Sequence, residues 1–381
     1  MTKIDVISGF LGAGKTTLIQ KLIKDVFAGQ KVVLVENEFG EIGIDGGFLQ
    51  EAGIEITEIN SGCICCTLKG DFEAALKKVS EEYQPDHIII EPSGVGKLSD
   101  ILRAIRDVDG LELNSYSTVV DAKRCQIYHK NFKEFFDDQI ATASCVILSR
   151  TQMTDEATLQ KDLDIIRELN SDVRVITTPW DELSGTAIFE AMEGSSSGFP
   201  EISYDEDDED EDEHEHHHHH DDDEEEHEHH HHHDDDEDEE LHGHHHHHHH
   251  HEHDHEHAEV VVDEKGNRIY KSHSHEHEHH HHHHHGGHDA DEVFGSWGME
   301  TPARFTQEEI TGILQKLEDG KTYGTILRSK GIVPAADGQW IHFDYVPGET
   351  QVRFGAAEVT GKICVIGAEL KEDALADLFA K

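Results

Sequence analysis

The sequence predicts an α/β fold in three parts: a parallel sheet domain, a low-complexity insert and a small α+β domain at the C-terminal end. Three observations lead to this prediction. Short β-branched runs alternate with helical stretches up to about residue 200, as in β-α-β units. A glycine-rich loop follows the first of these runs, and a run of Asp, Glu and His later interrupts the chain. We therefore predict segments at 1–200, 201–292 and 293–381.

The strands of the first segment are predicted from runs of β-branched and aliphatic residues. The first run covers residues 4–7, and later runs cover 31–36, 87–90, 117–120, 145–148 and 173–176. Stretches of helical periodicity separate these runs. This alternation predicts a parallel sheet built from β-α-β units.

The insert at 201–292 dominates the charge of the chain. It holds 36 acidic residues and 35 of the 38 histidines, in a chain whose formal net charge is −51. So few apolar residues cannot bury a core, and we expect the insert to be disordered. The acidity has no basic stripe to offset it, which argues against nucleic acid and membrane surfaces as partners.

The third segment is predicted to combine helices and strands. A helix is expected at 306–318, where Thr306 and Glu309 have capping-box spacing, and another at 371–379. Alternating residues predict strands at 340–345 and 362–366. Within the insert, residues 260–270 predict a small hairpin around Lys265-Gly266-Asn267.

The cysteines and the apolar runs indicate a cytoplasmic protein. Three of the six cysteines are clustered, and the others, Cys125, Cys145 and Cys364, stand singly on apolar stretches. This usage fits a reducing compartment better than a disulfide framework. No apolar run reaches membrane-spanning length, and no secretory leader is recognisable.

A phosphate-binding loop is predicted at residues 9–16, Gly-Phe-Leu-Gly-Ala-Gly-Lys-Thr, between a strand and a helix. The N–H groups of such a loop, and the N-terminus of the helix that follows, bind phosphate oxygens. Lys15 is expected to neutralise the β- and γ-phosphates, and the Thr16 hydroxyl to bind Mg²⁺. The predicted nucleotide-binding residues here are Gly9, Gly12, Ala13, Gly14, Lys15 and Thr16.

A second carboxylate for Mg²⁺ is expected at the end of a neighbouring strand. Glu91 directly follows the run at 87–90, so we predict that it reaches the Mg²⁺ shell. The Gly94 N–H, three residues later, is predicted to face the γ-phosphate.

The stretch at 36–45 is polar and broken by glycines, as is typical of a mobile switch loop. Glu38, Glu41 and Asp45 are its candidates for positioning water or metal. We take Glu38, with Lys15 and Glu91, as the predicted catalytic set.

Three cysteines in residues 62–66, Gly-Cys-Ile-Cys-Cys, predict a soft-metal site. Cys63, Cys65 and Cys66 can supply thiolates to Zn²⁺, to Cu⁺, or to Co²⁺ or Ni²⁺, and three ligands leave one tetrahedral position open. An open position suits transfer of the metal. The alternative interpretations are a redox pair of thiols and surface thiols without a role.

The histidine tracts predict many weak metal sites. Imidazoles with an ordinary pKa near ~6.5 are mostly neutral at pH 7, and neighbouring carboxylates add hard ligands. A metal buffer explains so many histidines better than a solubilising linker does.

Together these motifs resemble the CobW family of P-loop GTPases, of its zinc-metallochaperone type. The resemblance adds Thr17 to the nucleotide-binding residues, and apart from the insert it covers nearly the whole chain. It rests on residues 9–17, 37–41, 62–66, 91–94 and 139–141, and on 328–331, Trp340 and 361–367 in the third segment. It implies GTP hydrolysis coupled to delivery of a metal, usually zinc, to a client protein.

One departure concerns the base. Where the family carries Asn-Lys-x-Asp, this chain has Ser149-Arg150-Thr151-Gln152. An Asp accepts two hydrogen bonds from guanine, which the Gln152 amide cannot reproduce. The Arg150 stem can still cover the base as the lysine stem does in the family. The resemblance therefore implies base contacts from Ser149, Arg150 and Gln152, with GTP preferred and ATP as the alternative.

We therefore expect a GTP phosphohydrolase that binds zinc at the three clustered thiols and delivers it to a client metalloprotein. Nickel or cobalt delivery for a metalloenzyme or cofactor is one alternative, and a metal buffer with a vestigial NTPase is another. The expected partners are the client, metal ions on the histidine-rich segment and, with nucleotide bound, a second copy of the chain.

Overall fold

The computed structural model describes residues 1–36, 55–58, 69–106, 108–194, 259–263, 265–271 and 290–381. The chain divides into two units, one formed by Met1–Ser203 with Ala258–Lys381 and the other by Tyr204–His257. All described residues belong to the first unit. The predicted disorder of the insert and the predicted switch loop beyond Glu36 lie outside the described residues.

The N-terminal half of the described chain forms a parallel sheet of seven strands covered by seven helices. The strands are β1 (Thr2–Gly9), β2 (Val32–Glu36), β3 (Glu55–Glu58), β4 (His87–Glu91), β5 (Leu111–Asp121), β6 (Cys145–Ser149) and β7 (Arg174–Ile176), in the order β3-β2-β4-β1-β5-β6-β7. The helices are α1 (Lys15–Asp25), α2 (Lys69–Tyr83), α3 (Leu98–Arg106), α4 (Cys125–Asn131), α5 (Lys133–Thr142), α6 (Glu156–Leu169) and α7 (Gly185–Glu193). This confirms the predicted α/β class.

The strands form because their side chains are apolar on both faces. On β2, Val33 and Val35 pack into one buried cluster, whereas Val32 and Leu34 pack into another. Successive side chains of a strand point to opposite faces of the sheet, so the two clusters lie on opposite faces. Both faces therefore need helices to cover them, as in other parallel sheets.

This topology gathers the predicted site residues. In a parallel sheet the carboxyl ends of the strands meet at one edge, and the loops that follow them form the ligand crevice. Strand β1 pairs with β4 on one side and with β5 on the other, and β5 pairs with β6. The loops after these four strands therefore lie side by side.

The C-terminal half of the described chain forms an antiparallel sheet with helices. Its strands are β8 (Glu259–Val262), β9 (Arg268–Lys271), β10 (Gly295–Thr301), β11 (Thr325–Pro334), β12 (Trp340–Val346), β13 (Glu349–Gly355) and β14 (Gly361–Ala368), in the order β13-β12-β11-β14-β10-β9-β8. The helices are α8 (Ala290–Val293), α9 (Gln307–Lys316), α10 (Gly320–Tyr323) and α11 (Glu372–Phe379). Within the described residues, every helix is too short or too polar to span a bilayer.

The sheet begins upstream of the predicted domain boundary at residue 293. Strands β8 and β9 form the hairpin expected at 260–270, and β9 pairs with β10. Ile269 on β9 is buried in one cluster with Trp297 and Met299 of β10. This short apolar stretch therefore anchors itself in the sheet although acidic and histidine-rich sequence surrounds it.

A buried carboxyl group makes the stability of the sheet domain depend on pH. Asp162 on α6 is fully buried, and its Oδ1 accepts a hydrogen bond from Gln126 Nε2 at 3.0 Å. Its Oδ2 has no hydrogen-bond partner among the described residues. Burial raises the pKa of Asp162 to about 6, and the nearby carboxylates of Asp121 and Asp155 add to the rise.

We predict that Asp162→Asn is more stable than the unmodified chain above pH 7, by on the order of 2 kcal/mol. Between pH 4 and 6 the folded state holds a proton that the unfolded state has lost, so the stability of the unmodified chain falls as pH rises through that window. Urea unfolding at pH 4 and pH 7.5 measures the difference. Asp164→Asn, which changes an exposed residue of the same helix, should show no pH-dependent gain in stability. An equal gain in that variant would contradict the raised pKa of Asp162.

Candidate functional site

The loop between β1 and α1 presents a buried cation beside a helix N-terminus. Gly14 is the N-cap of α1, with φ of +103°. Lys15 is 6% exposed, and its Nζ donates to the Gly9 carbonyl at 2.8 Å. Such a cation, together with the N–H groups of the helix N-terminus, can bind the phosphates of a nucleotide.

Two predicted Mg²⁺ ligands come together across neighbouring strands. Thr16 Oγ1 is 3.2 Å from both Glu91 Oε1 and Glu91 Oε2, although 75 residues separate the two in sequence. The pairing of β1 with β4 brings them together, since Glu91 ends β4 and Thr16 follows β1. A hydroxyl and a carboxylate are hard oxygen donors, so the residues fit Mg²⁺.

The loop after β4 packs against the phosphate-binding loop. A Cβ on Gly94 would lie 2.8 Å from the backbone nitrogen of Leu11, so only glycine permits this approach. Gln139, fully buried on α5, donates from Nε2 to the Gly96 carbonyl at 2.7 Å and to the Gly94 carbonyl at 3.3 Å. The predicted contact of Gly94 with the γ-phosphate stays a prediction.

Arg150 follows β6 and contacts the phosphate-binding loop. It adopts the left-handed backbone conformation, with φ of +57°. Its Nη1 donates to the Gly12 carbonyl and to Asp121 Oδ2, both at 2.9 Å. Its Nη2 lies 3.2 Å from Glu349 Oε2 on β13. These contacts fix the stem that is predicted to cover the base.

The other two residues predicted to contact the base differ in their exposure. Ser149 ends β6 and is buried, whereas Gln152 is exposed on a short 3₁₀ turn, Thr151–Met153. Asp155 caps α6, where Oδ1 accepts from the Thr158 N–H at 2.8 Å. That carboxylate is therefore engaged in capping a helix three residues beyond the turn.

The buried carboxylate of Asp121 contacts two arginines beside the phosphate-binding loop. The residue is 2% exposed, and its Oδ2 also lies 3.3 Å from Arg124 Nη1. The other guanidinium nitrogen, Arg124 Nη2, donates to the Pro347 carbonyl at 2.6 Å. Two arginines therefore link the carboxyl ends of β5 and β6 to the turn between β12 and β13.

Trp180 is a candidate site residue that the sequence reasoning missed. A Cβ on Gly14 would lie 3.3 Å from Trp180 Cη2 and 3.9 Å from Ser149 Cβ, so the indole borders the start of α1. Trp180 Nε1 donates to the Leu148 carbonyl at 3.0 Å. A tryptophan in a loop after a short strand gives no motif from which this position could be inferred.

The sequence reasoning also missed one wall of the pocket. A pocket of about 400 Å³ surrounds Lys15, Thr16 and Glu91, and Thr17 and Gln20 also line it. Its lining on the side of the antiparallel sheet is Arg328, Asp344, Val346, Glu349, Gln351 and Arg353. The alternation of Glu349, Gln351 and Arg353 on one strand is the signal that could have identified this face.

Aromatic side chains join the phosphate-binding loop to the C-terminal half. The ring of Phe10 lies 4.6 Å from that of Tyr128 and 6.2 Å from that of Phe294, measured between centroids. Phe294, between α8 and β10, is also 5.0 Å from Phe135 and 5.5 Å from Phe132. The loop that carries Gly9 and Gly12 is thus packed into a core shared by both halves.

The predicted metal thiols, Cys63, Cys65 and Cys66, and the predicted catalytic Glu38 lie outside the described residues. Among the residues that are described, no group of three or more His, Cys, Asp or Glu side chains is placed to hold a metal ion. The described cysteines, Cys125, Cys145 and Cys364, are buried. Burial raises the pKa of the Cys145 thiol to about 12, so it stays protonated at neutral pH.

Two family models match the chain. Residues 3–177 match the nucleotide-binding domain described as CobW/HypB/UreG, and residues 294–381 match the cobalamin synthesis protein cobW C-terminal domain. The chain belongs to the CobW/HypB/UreG family. The first match spans β1 to β7 and the second spans β10 to α11, so the CobW-type organisation includes both described sheets.

Curated relatives of this CobW-family chain include two bacterial proteins. One, the zinc chaperone CobW of a Sinorhizobium species, is 34% identical over 44% of this chain and 55% of its own length. Another, the zinc chaperone YeiR of Escherichia coli K12, is 32% identical over 40% of this chain and 48% of its own length. The chain therefore spans about half the length of these curated relatives.

Among solved structures, the crystal structure of Zn(II)-bound YjiA GTPase from E. coli aligns with 100% of this chain and 98% of that chain. The TM-score is 0.39 and the sequence identity is 17%, and the family assignment does not depend on this likeness.

We predict that Trp180 reports nucleotide binding by fluorescence, because its ring borders Gly14 and Ser149. Addition of a guanine nucleotide with Mg²⁺ should change the tryptophan emission, and Trp180→Phe should abolish the change while leaving the protein folded. Trp340→Phe, which removes a tryptophan from the antiparallel sheet, is the matched control and should keep the response. A response that survives in Trp180→Phe would place the base elsewhere.

Proposed function

We propose that the protein is a GTP-hydrolysing metallochaperone, which binds zinc through Cys63, Cys65 and Cys66 and delivers it to a client protein. The observation that carries the proposal is the meeting of Lys15, Thr16 and Glu91 in one pocket at the carboxyl edge of the sheet. In the sequence the thiol motif comes between β3 and α2, two elements of the same domain. Zinc-chaperone names among the relatives support zinc as the cargo.

In the proposed reaction, water attacks the γ-phosphate of GTP and gives GDP and inorganic phosphate. Lys15 neutralises charge on the β- and γ-phosphates, and the N-terminus of α1 faces the same groups. Thr16 and Glu91 would hold Mg²⁺, which when bound neutralises charge on the phosphate oxygens. Glu38 is proposed to orient the attacking water.

The contacts of Arg150 support a purine base at this site. Its guanidinium is held by Gly12, Asp121 and Glu349, so its stem is fixed beside the phosphate-binding loop. The aliphatic stem of an arginine can cover the face of any purine, which is why ATP remains the alternative to GTP. Because the Gln152 amide cannot reproduce the two hydrogen bonds that an Asp accepts from guanine, discrimination against ATP is proposed to come from backbone groups near Ser149.

Hydrolysis is proposed to drive hand-over of zinc. The stretch at 36–45 begins at the end of β2, which pairs with β4 in the sheet. The thiol motif comes after β3 in the sequence, and β3 pairs with β2. In the triphosphate state the thiols hold zinc, and loss of the γ-phosphate releases the metal to the client. The histidine tracts of the insert are proposed to hold a local supply of the same metal.

The histidine tracts also favour two other candidates. Imidazole is a good ligand for Ni²⁺, so nickel or cobalt delivery is the first alternative. The second is a metal buffer in which the nucleotide site is vestigial. The binding of many metal ions per chain without nucleotide turnover would favour the buffer.

We predict that Lys15→Ala lowers GTP turnover by at least about a hundredfold, because the phosphates lose their buried cation. The measurement is phosphate release from GTP and, in parallel, from ATP, with Mg²⁺ and with stoichiometric zinc, nickel or cobalt. Lys24→Ala removes an exposed lysine from the same helix and is the control. Unchanged turnover in Lys15→Ala would overturn the assignment of the phosphate site.

We predict that deleting Tyr204–His257 lowers the number of metal ions bound per chain but leaves GTP turnover intact. The deletion spares β8 and β9, which belong to the C-terminal sheet. Equilibrium dialysis with zinc and nickel measures the capacity. A full-length variant with the histidines of 204–257 replaced by asparagine keeps the acidic charge and should lose the same capacity. Loss of GTP turnover in the deletion variant would contradict the proposal that the insert stores metal and takes no part in hydrolysis.

A further inference from the structure

One face of the antiparallel sheet lines the same pocket as the phosphate-binding loop. Six residues of β11, β12 and β13 line this pocket together with Lys15 and Thr16: Arg328, Asp344, Val346, Glu349, Gln351 and Arg353. These residues lie far from the phosphate-binding motif in sequence. The nucleotide site as the sequence defines it is therefore only part of the pocket.

Strand register explains why these side chains share a face. Strand β13 pairs with β12 so that Glu349 is opposite Val346 and Gln351 is opposite Asp344. Directly opposed residues of antiparallel strands point to the same face, and alternate residues of one strand do so too. Glu349, Gln351 and Arg353 therefore project together, whereas Val352 between them packs against the core of the antiparallel sheet.

Specific contacts hold this face against the nucleotide-binding domain. Glu349 forms an ion pair with Arg150, with 3.2 Å between Oε2 and Nη2. In the turn between β12 and β13, the Pro347 carbonyl accepts a hydrogen bond from Arg124. Val346 lies so near Gly12 that a Cβ on that glycine would be 2.6 Å from Val346 Cγ1. These contacts fix the start of β13 beside the phosphate-binding loop.

The charges on the face suit a phosphate group. Arg328 is bound by Asp344 through both carboxylate oxygens, at 3.4 and 2.9 Å, so its guanidinium is held at the wall. Arg353 is exposed and lines the pocket four residues along β13 from Glu349. A guanidinium matches phosphate oxygens with paired N–H donors, and its charge does not depend on pH.

We propose that Arg353 binds the terminal phosphate of a nucleoside triphosphate in this pocket, so that the C-terminal sheet distinguishes triphosphate from diphosphate. The proposal rests on the proposed function, because it places the triphosphate on the loop of Lys15. Loss of the γ-phosphate removes the ligand that β13 shares with the nucleotide-binding domain. The C-terminal sheet thereby receives the signal of hydrolysis directly.

The test compares the affinities of two nucleotides in the full-length protein. Fluorescent analogues of GMPPNP and GDP are titrated, with Mg²⁺, into the unmodified chain, Arg353→Ala and Arg353→Lys. Arg353→Ala should weaken GMPPNP binding by about tenfold or more, because one charge-assisted hydrogen bond is lost. It should weaken GDP binding by less than about twofold. Arg353→Lys should recover part of the loss. Arg268→Ala, which removes an exposed arginine from β9 of the same sheet, is the control and should bind both nucleotides normally.

Each result has a distinct meaning. Equal GMPPNP affinity in Arg353→Ala and the unmodified chain would overturn the role of Arg353 while leaving the nucleotide site standing. An equal loss for GMPPNP and GDP would also overturn it, since the contact would then not concern the terminal phosphate. An unmodified chain that binds neither GMPPNP nor GDP, nor AMPPNP and ADP in the same assay, would overturn the proposed function itself.

Discussion

The buried carboxylate of Asp121 is the constraint on which the arrangement of the pocket depends. A carboxylate removed from water must be paired, and Asp121 is paired with both Arg124 and Arg150. Each arginine then has donors left over, and they reach Gly12, Pro347 and Glu349. Because the buried Asp121 carboxylate requires both arginines, their remaining hydrogen bonds hold three segments in place. These segments are the phosphate-binding loop, the loop after β6 and the turn before β13.

The hydrophobic packing supports the same arrangement. Phe10 belongs to the phosphate-binding loop, yet its ring packs in a cluster with Phe132 of the sheet domain and Phe294 of the C-terminal half. Protein cores are densely packed and do not deform continuously, so a change at the loop has to be accommodated by the neighbouring rings. The two sheets are therefore joined both by ion pairs and by a shared core. In the proposed function this junction lets the nucleotide state reach the C-terminal sheet.

Sequence reasoning predicted the parts of the structure that local rules determine. Six of the seven parallel strands followed from β-branched runs, whereas β3 was not predicted. The capping box of α9 is present, with Glu309 N donating to Thr306 Oγ1 at 3.2 Å. The approach of Thr16 to Glu91 agrees with the expectation that a second carboxylate ends a neighbouring strand. The wall formed by β11 to β13 could not be predicted in this way, because it depends on packing between distant segments. Trp180 and Glu349 were missed for the same reason, and the hairpin of β8 and β9 was recognised without its place in the sheet.

The central claim is that zinc at the clustered thiols and GTP at the phosphate-binding loop are coupled. The most direct test measures GTP turnover with and without stoichiometric zinc, in the unmodified chain and in a Cys63→Ser, Cys65→Ser, Cys66→Ser triple variant. The account predicts that zinc accelerates turnover in the unmodified chain and that the triple variant loses this acceleration while it still binds GTP. Identical zinc-dependent turnover in the triple variant, or no turnover with any metal in the unmodified chain, would contradict it.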